Sequence, residues 1–152
     1  MEKKLNSCPI LVADDDEGDR FLINKAMQAN GVENPIRFLG DGQELVDHLN
    51  RNLEMFKQAS APDLPCLILM DLNMPRLDGR ETLKIVKGHA KFREIPVVIL
   101  SNSKNPKDIA GSYQEGANSF FTKPLDYMDL VGLMGLLKIY WFQNAKLPSE
   151  GV

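Results

Sequence analysis

The sequence predicts an α/β fold with a single doubly wound, five-stranded parallel sheet. Five short apolar runs rich in branched residues recur along the chain, and each precedes a stretch with apolar residues at helical spacing. Because these runs lack polar alternation, they are typical of parallel strands that helices cover on both faces. Repeated βαβ units of this kind predict the strand order 2-1-3-4-5. The predicted strands are Ile10–Ala13, Ile36–Leu39, Leu67–Met70, Val97–Leu100 and Ser119–Thr122.

A helix is predicted after each of these strands. The apolar stripes have spacings of three and four residues, and turn-forming Gly, Asn, Asp and Pro residues stand where the stripes begin or end. The second stripe is long, because it continues from Leu45 to Phe56 and stops before Ser60. The predicted helices cover residues 21–29, 45–56, 83–90 (after the turn at Asp78-Gly79), 107–115 and 126–144.

The composition is that of a globular domain without a basic region. The 152 residues fit one domain, which we expect to span 1–152 with its core at about 8–143 and a tail at 144–152. A formal net charge of −3 argues against binding to nucleic acid or to anionic lipid. The sequence shows neither a signal-peptide pattern nor a run of about 18 apolar residues, so we expect a cytoplasmic protein.

The cysteines and histidines are not expected to carry function. Cys8 and Cys66 each stand beside an apolar run, which is typical of buried free thiols. Their spacing supplies no further ligand for a metal and no evident disulfide partner. His48 and His89 have no ligand spacing around them, and both are predicted to be solvated surface residues.

Acidic residues follow two strands that the predicted order makes neighbours. Asp14, Asp15 and Asp16 follow the first strand, and Asp71 follows the third. In such sheets, ligands bind beyond the carboxyl ends of the strands where the strand order reverses. Gathered carboxylates repel one another, and Mg²⁺ relieves the repulsion while taking the hard oxygen ligands that it prefers. Asp16 also suits the N-cap of the first helix, and we favour that interpretation for it.

A hydroxyl and an ammonium group end the next two strands. Ser101 follows the fourth strand and Lys123 follows the fifth, so both can face a phosphoryl group on Asp71. A phosphorylated aspartate needs its oxygens neutralised, and a divalent cation, a lysine and a hydroxyl donor together do so. Either residue alone is more often a turn residue or a solvated charge.

The ordered set of these residues resembles the response-regulator receiver family, and the resemblance spans nearly the whole chain. This family has a flavodoxin-like (βα)5 fold. The resemblance implies that Asp71 is the phosphoacceptor and that Mg²⁺ binds to Asp14, Asp15, Asp71 and the backbone carbonyl of Asn73. The motifs that carry it are Leu11-Val12-Ala13-Asp14-Asp15, Leu69-Met70-Asp71-Leu72-Asn73-Met74-Pro75, Ser101 and Lys123-Pro124.

The resemblance also assigns roles around the phosphoryl group. Ser101 would donate a hydrogen bond to it and Lys123 would form an ion pair with it, with a cis peptide bond between Lys123 and Pro124. Asn73 and Ser103 would flank the water that hydrolyses the phosphate. Phe120 matches the family's aromatic switch position, while plain strand core is an equally good interpretation of this phenylalanine.

The resemblance implies a sensor histidine kinase as phosphoryl donor. Few residues follow Pro124, so we expect no output domain and a signal that leaves through a protein surface. The last predicted helix carries more apolar residues than one stripe needs, which favours a homodimer, unless the tail from Gln143 covers them. The long segment from Leu49 to Pro65, together with Trp141, resembles the single-domain regulators that accompany bacterial phytochrome kinases.

Two other functions remain as alternatives. An aspartate-nucleophile phosphatase would need an Asp-x-Asp pair, whereas Asn73 stands two residues after Asp71. A degenerate receiver that binds partners without phosphorylation would be expected to lack some of the charged positions, and all of them are present. A phosphorylated receiver that is not itself an enzyme acting on other substrates is therefore the preferred interpretation.

Overall fold

The computed structural model describes residues 8–56 and 64–147. In these ranges five parallel strands form one sheet in the order β2-β1-β3-β4-β5, which confirms the predicted fold class. The strands are β1 (Ile10–Ala13), β2 (Ile36–Leu39), β3 (Leu67–Met70), β4 (Val97–Ser101) and β5 (Ser119–Thr122). The helices are α1 (Glu17–Ala29), α2 (Gly42–Phe56), α3 (Gly79–Gly88), α4 (Pro106–Gln114) and α5 (Tyr127–Leu137).

The sheet separates two hydrophobic clusters. Residues Leu11 and Ile68 belong to a cluster that also contains side chains of α2 and α3. Residues Val12 and Leu69, the next along the same strands, belong to a cluster that contains side chains of α1 and α5. Successive side chains of a strand point to opposite faces, so β1 and β3 are apolar throughout because helices cover both sides.

Helix α1 starts immediately beside the acidic residues. The Asp16 carboxylate accepts a hydrogen bond from the Asp19 backbone N–H at 2.9 Å, which confirms Asp16 as the N-cap. Such a cap stabilises a helix by about 1 kcal/mol. It also holds Asp19 in the first turn of α1.

The last predicted helix changes from an α-helix to a wider π-helix near its C-terminal end. After α5, residues Lys138–Asn144 form a π-helix. The tail then returns to the body, because Leu147 is buried in the cluster that includes α1 and α5. Packing therefore extends to Leu147. Residues 148–152 of the predicted tail, like the predicted turn at Ser60–Pro62, lie outside the described residues.

The prediction of free thiols is wrong. Cys8 and Cys66 form a disulfide, with their Cα atoms 5.6 Å apart. Strands β1 and β3 pair with Ile10 opposite Leu67, so the residues just before them are brought together although 58 positions separate them in sequence. Sequence spacing alone did not reveal this pairing, since it depends on which strands are neighbours.

The prediction for His48 is also wrong. Its side chain is buried in α2, where Nε2 lies 3.1 Å from the Asn52 amide nitrogen. Burial lowers the pKa of His48, and the nearby Arg37 and Arg51 lower it further. His89 is half-buried and stacks on Phe92, so it is only partly solvated.

Among the described residues, no helix combines the length and the apolar character needed to span a membrane.

Candidate functional site

The predicted acidic residues meet at the carboxyl ends of β1 and β3. These parallel strands pair with Ala13 opposite Met70, so the next residues, Asp14 and Asp71, leave the sheet side by side. The Asp71 backbone N–H donates to the Ala13 carbonyl oxygen at 3.0 Å, which fixes this arrangement. Asp14 and Asp71 are buried, whereas Asp15 is exposed. The three carboxylates offer oxygens that all lie within 4.8 Å of one another.

This donor set suits a divalent cation. All three ligands are hard carboxylate oxygens, which Mg²⁺ and related cations prefer. Burial raises the pKa of Asp14, and hydrogen bonds from Lys123 and from the Asp16 backbone N–H oppose the shift. A buried carboxylate beside two others is relieved by positive charge, so these residues fit a metal ion. Asn73 follows in the loop after Asp71 and is exposed.

Lys123 connects the acidic residues on three different elements. Its Nζ lies 2.8 Å from Asp14, 2.9 Å from Asp71 and 2.7 Å from Asp19 on α1. The lysine side chain is only 9% exposed, so solvent screens its ion pairs with the buried Asp14 and Asp71 little, whereas the Asp19 side chain is 34% exposed. Burial disfavours the charged ammonium, but the hydrogen bonds with the carboxylates outweigh burial and raise the pKa of Lys123. The group therefore stays protonated.

Strand β4 delivers the predicted hydroxyl to the same edge. Ser101 is fully buried, and its Oγ accepts a hydrogen bond from the Ser103 backbone N–H at 3.2 Å. The Ser103 hydroxyl donates to Asp108 at 2.6 Å, and Arg80 of α3 donates to the same carboxylate at 2.8 Å. Within the described residues no hydrogen bond joins Ser101 to Asp71. A phosphoryl group on Asp71 would give the Ser101 hydroxyl an acceptor.

The loop after Asp71 is held in place by an ion pair with Asp41 and by close packing against the start of α3. Arg76 adopts a left-handed backbone conformation with φ of 63°, and its guanidinium donates to the Asp41 carboxylate at 2.7 and 3.1 Å. Gly79 lies so close to the Asp71 carbonyl oxygen that a Cβ atom there would overlap it. A glycine is needed at this position because the start of α3 passes directly beside the predicted acceptor.

The peptide bond before Pro124 and the side chain of Phe120 are both predicted to have roles near the end of β5. The expected cis bond is wrong, since the bond between Lys123 and Pro124 is trans like every other described peptide bond. The trans form is intrinsically favoured by about 0.5–1 kcal/mol, and it already lets the Lys123 ammonium reach Asp71. Phe120 is half-buried against the cluster that contains α2 and α3, which fits strand core. Its role as a switch stays a prediction.

Asp19 is a site residue that the sequence did not predict. This residue lies in the first turn of α1 and is 104 positions from Lys123, so neither motif nor spacing links the two. The available signal was its place three residues after the cap Asp16, one helical turn from the acidic cluster. That signal puts Asp19 near the site but does not identify its partner.

Known sequences that are similar to this chain match it over most of its length. The sequence matches the response regulator receiver domain family over residues 10–134. It is 33% identical over 140 residues to the probable methanogenesis regulatory protein FilR2 of Methanothrix harundinacea, covering 92% of this chain and 87% of that protein. It is 30% identical over 140 residues to the response regulator Rcp1 of Synechocystis sp., covering 92% of each chain.

Solved structures agree with the sequence relatives. The phosphorylated cyanobacterial phytochrome response regulator RcpA superposes with a TM-score of 0.82 and 34% identity, covering 94% of this chain and 99% of that one. The Mn²⁺-bound form of Rcp1 superposes with a TM-score of 0.74 and 29% identity, covering 93% and 99%. With the acidic cluster and the strand order already established, the chain belongs to the response regulator receiver domain family.

Proposed function

We propose that Asp71 accepts a phosphoryl group from the phosphohistidine of a sensor kinase, with Mg²⁺ bound at the acidic cluster. The observation that carries this proposal is the position of Lys123, whose ammonium contacts both Asp71 and Asp14 in a buried setting. A carboxylate that receives a phosphoryl group needs such a counter-charge within reach. A divalent cation at this cluster is supported by the all-oxygen donor set and by the Mn²⁺-bound structure of Rcp1.

The transfer is an in-line displacement. An oxygen of the Asp71 carboxylate attacks phosphorus and forms the new P–O bond, while the P–N bond breaks and its electron pair stays on the histidine nitrogen. Lys123 forms an ion pair with a phosphoryl oxygen, and the Ser101 hydroxyl donates to another. When bound, Mg²⁺ supplies positive charge that offsets the charge of the transferring group. The protein thus catalyses its own modification.

Hydrolysis of the aspartyl phosphate resets the protein. Water attacks phosphorus, the bond to the Asp71 oxygen breaks, and inorganic phosphate leaves. Asn73 and Ser103 are proposed to flank the approaching water, and neither side chain is buried, since Asn73 is exposed and Ser103 is half-buried. Their side chains are therefore the positions at which we expect the lifetime of the phosphorylated state to be tuned.

The kinase is proposed to be a bacterial phytochrome. The support is the likeness to RcpA, which is described as a phytochrome response regulator, at 34% identity and nearly full coverage. The same proposal places the protein in the cytoplasm, because the kinase that donates the phosphoryl group draws it from ATP.

The signal is proposed to leave through a homodimer surface around α5. Leu136, Ile139 and Tyr140 are 63%, 53% and 62% exposed, although all three are large apolar or aromatic residues. Together with Phe121 and Trp141 they line a groove of about 410 Å³ beside β5. Leu147 packs elsewhere in the cluster, so the described part of the tail leaves this groove open. Exposed apolar patches of this kind mark protein interfaces.

Phosphorylation from a small donor tests the proposal. Purified protein is incubated with acetyl phosphate and Mg²⁺ and its intact mass is measured. We expect one added phosphoryl group on the wild type and none on Asp71→Asn, which retains the size but not the nucleophilic oxygen. A wild type that gains no mass would favour a receiver that acts without phosphorylation. An Asp71→Asn variant that gains as much mass as the wild type would show that Asp71 is not the acceptor.

A further inference from the structure

Asp19 makes the shortest of the three ion pairs of Lys123. Its carboxylate oxygen lies 2.7 Å from Lys123 Nζ, compared with 2.8 Å for Asp14 and 2.9 Å for Asp71. The ammonium has three N–H donors, and three carboxylates lie around it. Asp19 supplies an acceptor in addition to Asp14 and Asp71, the two that have metal or phosphoryl roles.

The three carboxylates differ in what else they do. Asp14 and Asp71 belong to the group whose oxygens lie close enough to share a metal ion, and Asp19 is not in that group. A cation bound by Asp14 and Asp71 would compete with Lys123 for the negative charge of these two carboxylates and would repel its ammonium. Phosphorylation then converts one Asp71 oxygen into a bridging oxygen. Through both changes, Asp19 keeps its negative charge free for Lys123.

The position of Asp19 is itself well fixed. Its backbone N–H donates to the Asp16 carboxylate at 2.9 Å, and it lies in the first turn of α1, where the helix dipole favours a negative side chain. The helix is anchored by the buried residues Ile23, Ala26 and Met27. The lysine, by contrast, has a long and flexible side chain that loses conformational freedom when it is held in place.

We propose that Asp19 is a positioning residue that holds the Lys123 ammonium beside Asp71 during phosphoryl transfer. This inference rests on the proposed function, because it assigns Asp19 a part in the same reaction. Asp19 acts through Lys123 and does not touch the reacting atoms.

The opposite effect would follow if only the charge of Asp19 mattered. A carboxylate close to an incoming anionic phosphoryl group repels it, so removing Asp19 would then accelerate phosphorylation. Removing a positioning residue instead slows it. The sign of the change in rate therefore distinguishes the two explanations.

The first measurement reads the ion pair without any phosphorylation. Lys123 is reductively methylated in the presence of Mg²⁺ alone, and its modification rate is followed by peptide mass spectrometry. We expect Asp19→Asn to accelerate methylation of Lys123 about fivefold, because an ammonium that loses this partner leaves its buried position more often. Glu17→Gln removes the same charge from the same helical turn and should leave the rate unchanged. An unchanged rate in Asp19→Asn overturns the proposal.

The second measurement reads the reaction. With acetyl phosphate at saturating Mg²⁺, the phosphorylation rate constant of Asp19→Asn should be about fivefold lower than that of the wild type, and Glu17→Gln should match the wild type. In a Lys123→Met background the Asp19→Asn change should have no further effect, which a purely structural role would not predict. Thermal unfolding of each variant checks that the fold is retained.

The combined outcomes separate this inference from the proposed function. If the wild type is phosphorylated on Asp71 but Asp19→Asn reacts equally fast or faster, the positioning role is overturned while the proposed function stands. If the wild type takes up no phosphate at all, both fail, although the methylation rates still show whether Asp19 holds Lys123. Faster methylation together with slower phosphorylation in Asp19→Asn supports the proposal.

Discussion

Glycine at position 79 shows how strictly single residues shape the surroundings of Asp71. The start of α3 crosses beside the Asp71 carbonyl, and the Leu72 Cα atom also lies too close to the position of a Cβ atom at Gly79 for a side chain to fit there unchanged. The Gly79 N–H also donates to the Leu72 carbonyl oxygen at 2.8 Å. A larger residue would push α3 away from the loop that carries the acceptor.

Gly79→Ala should therefore lower the free energy of unfolding by about 2 kcal/mol, as overpacking of a close contact does. Gly111→Ala is the matched control. Nothing lies within 4 Å of a Cβ atom at Gly111 in α4, so this change should raise the free energy of unfolding by about 0.5 kcal/mol. Urea titrations measure both. Equal effects of the two substitutions would show that the close contact at Gly79 is relieved without cost.

At the scale of elements, α2 carries a buried titratable group on its inner face. His48 is 9% exposed, and burial lowers its pKa below the ordinary value of 6.5. The folded protein therefore binds the proton less tightly than the unfolded chain. The neutral imidazole contributes stability that is fully present above the unfolded pKa and is lost as the pH falls below it.

Substitution of His48 by Gln removes this pH dependence. The wild type should lose about 1 kcal/mol of stability relative to His48→Gln when the pH is lowered from about 7.5 to about 5.5. Comparing the two proteins in urea at each pH cancels the contribution of the other titrating groups. A difference that is the same at both pH values would contradict the burial of His48.

One face of α5 is buried, whereas the opposite face is exposed. One face packs into the core through Leu130, Leu133, Met134 and Leu137, while Leu136 and its neighbours in the following π-helix remain exposed. The groove that these residues line lies beside the edge strand β5.

For the whole molecule, this surface predicts self-association. Leu136→Glu should shift the protein to a monomer in sedimentation velocity, because a charge buried at the dimer interface is costly. Phe21→Glu is the matched control, since Phe21 is also 65% exposed but lies on α1 outside the groove. Each protein is measured with and without acetyl phosphate. A wild type that is monomeric in both states would exclude the proposed interface.

Most of the architecture was predictable from the sequence because it follows local rules. Apolar runs bounded by turns predicted β1, β2, β3 and β5 with the same first and last residues as in the structure. Strand β4 ends one residue later than predicted, at Ser101. The acidic residues were predictable because parallel pairing puts strand ends at one edge. The end of the last helix was less predictable, because nothing in its apolar pattern predicts a π-helix over Lys138–Asn144.

Three other features that escaped prediction depend on contacts between distant segments. The disulfide of Cys8 with Cys66 requires β1 and β3 to be neighbours, and the burial of His48 depends on how α2 rests on the sheet. The ion pair of Asp19 with Lys123 joins α1, near the start of the chain, to the loop after β5, near its end. No local pattern encodes such pairs, so they emerge only when the chain is folded.

Whether Asp71 is the phosphoacceptor is tested most directly by mapping the modified residue. The protein is phosphorylated with acetyl phosphate and Mg²⁺ and reduced with borohydride, which converts an aspartyl phosphate to homoserine. Peptide mass spectrometry should then find homoserine at position 71 and aspartate unchanged at positions 14, 15 and 19. Homoserine at another position, or intact aspartate at 71 in a protein that has gained phosphate, would show that Asp71 is not the phosphoacceptor.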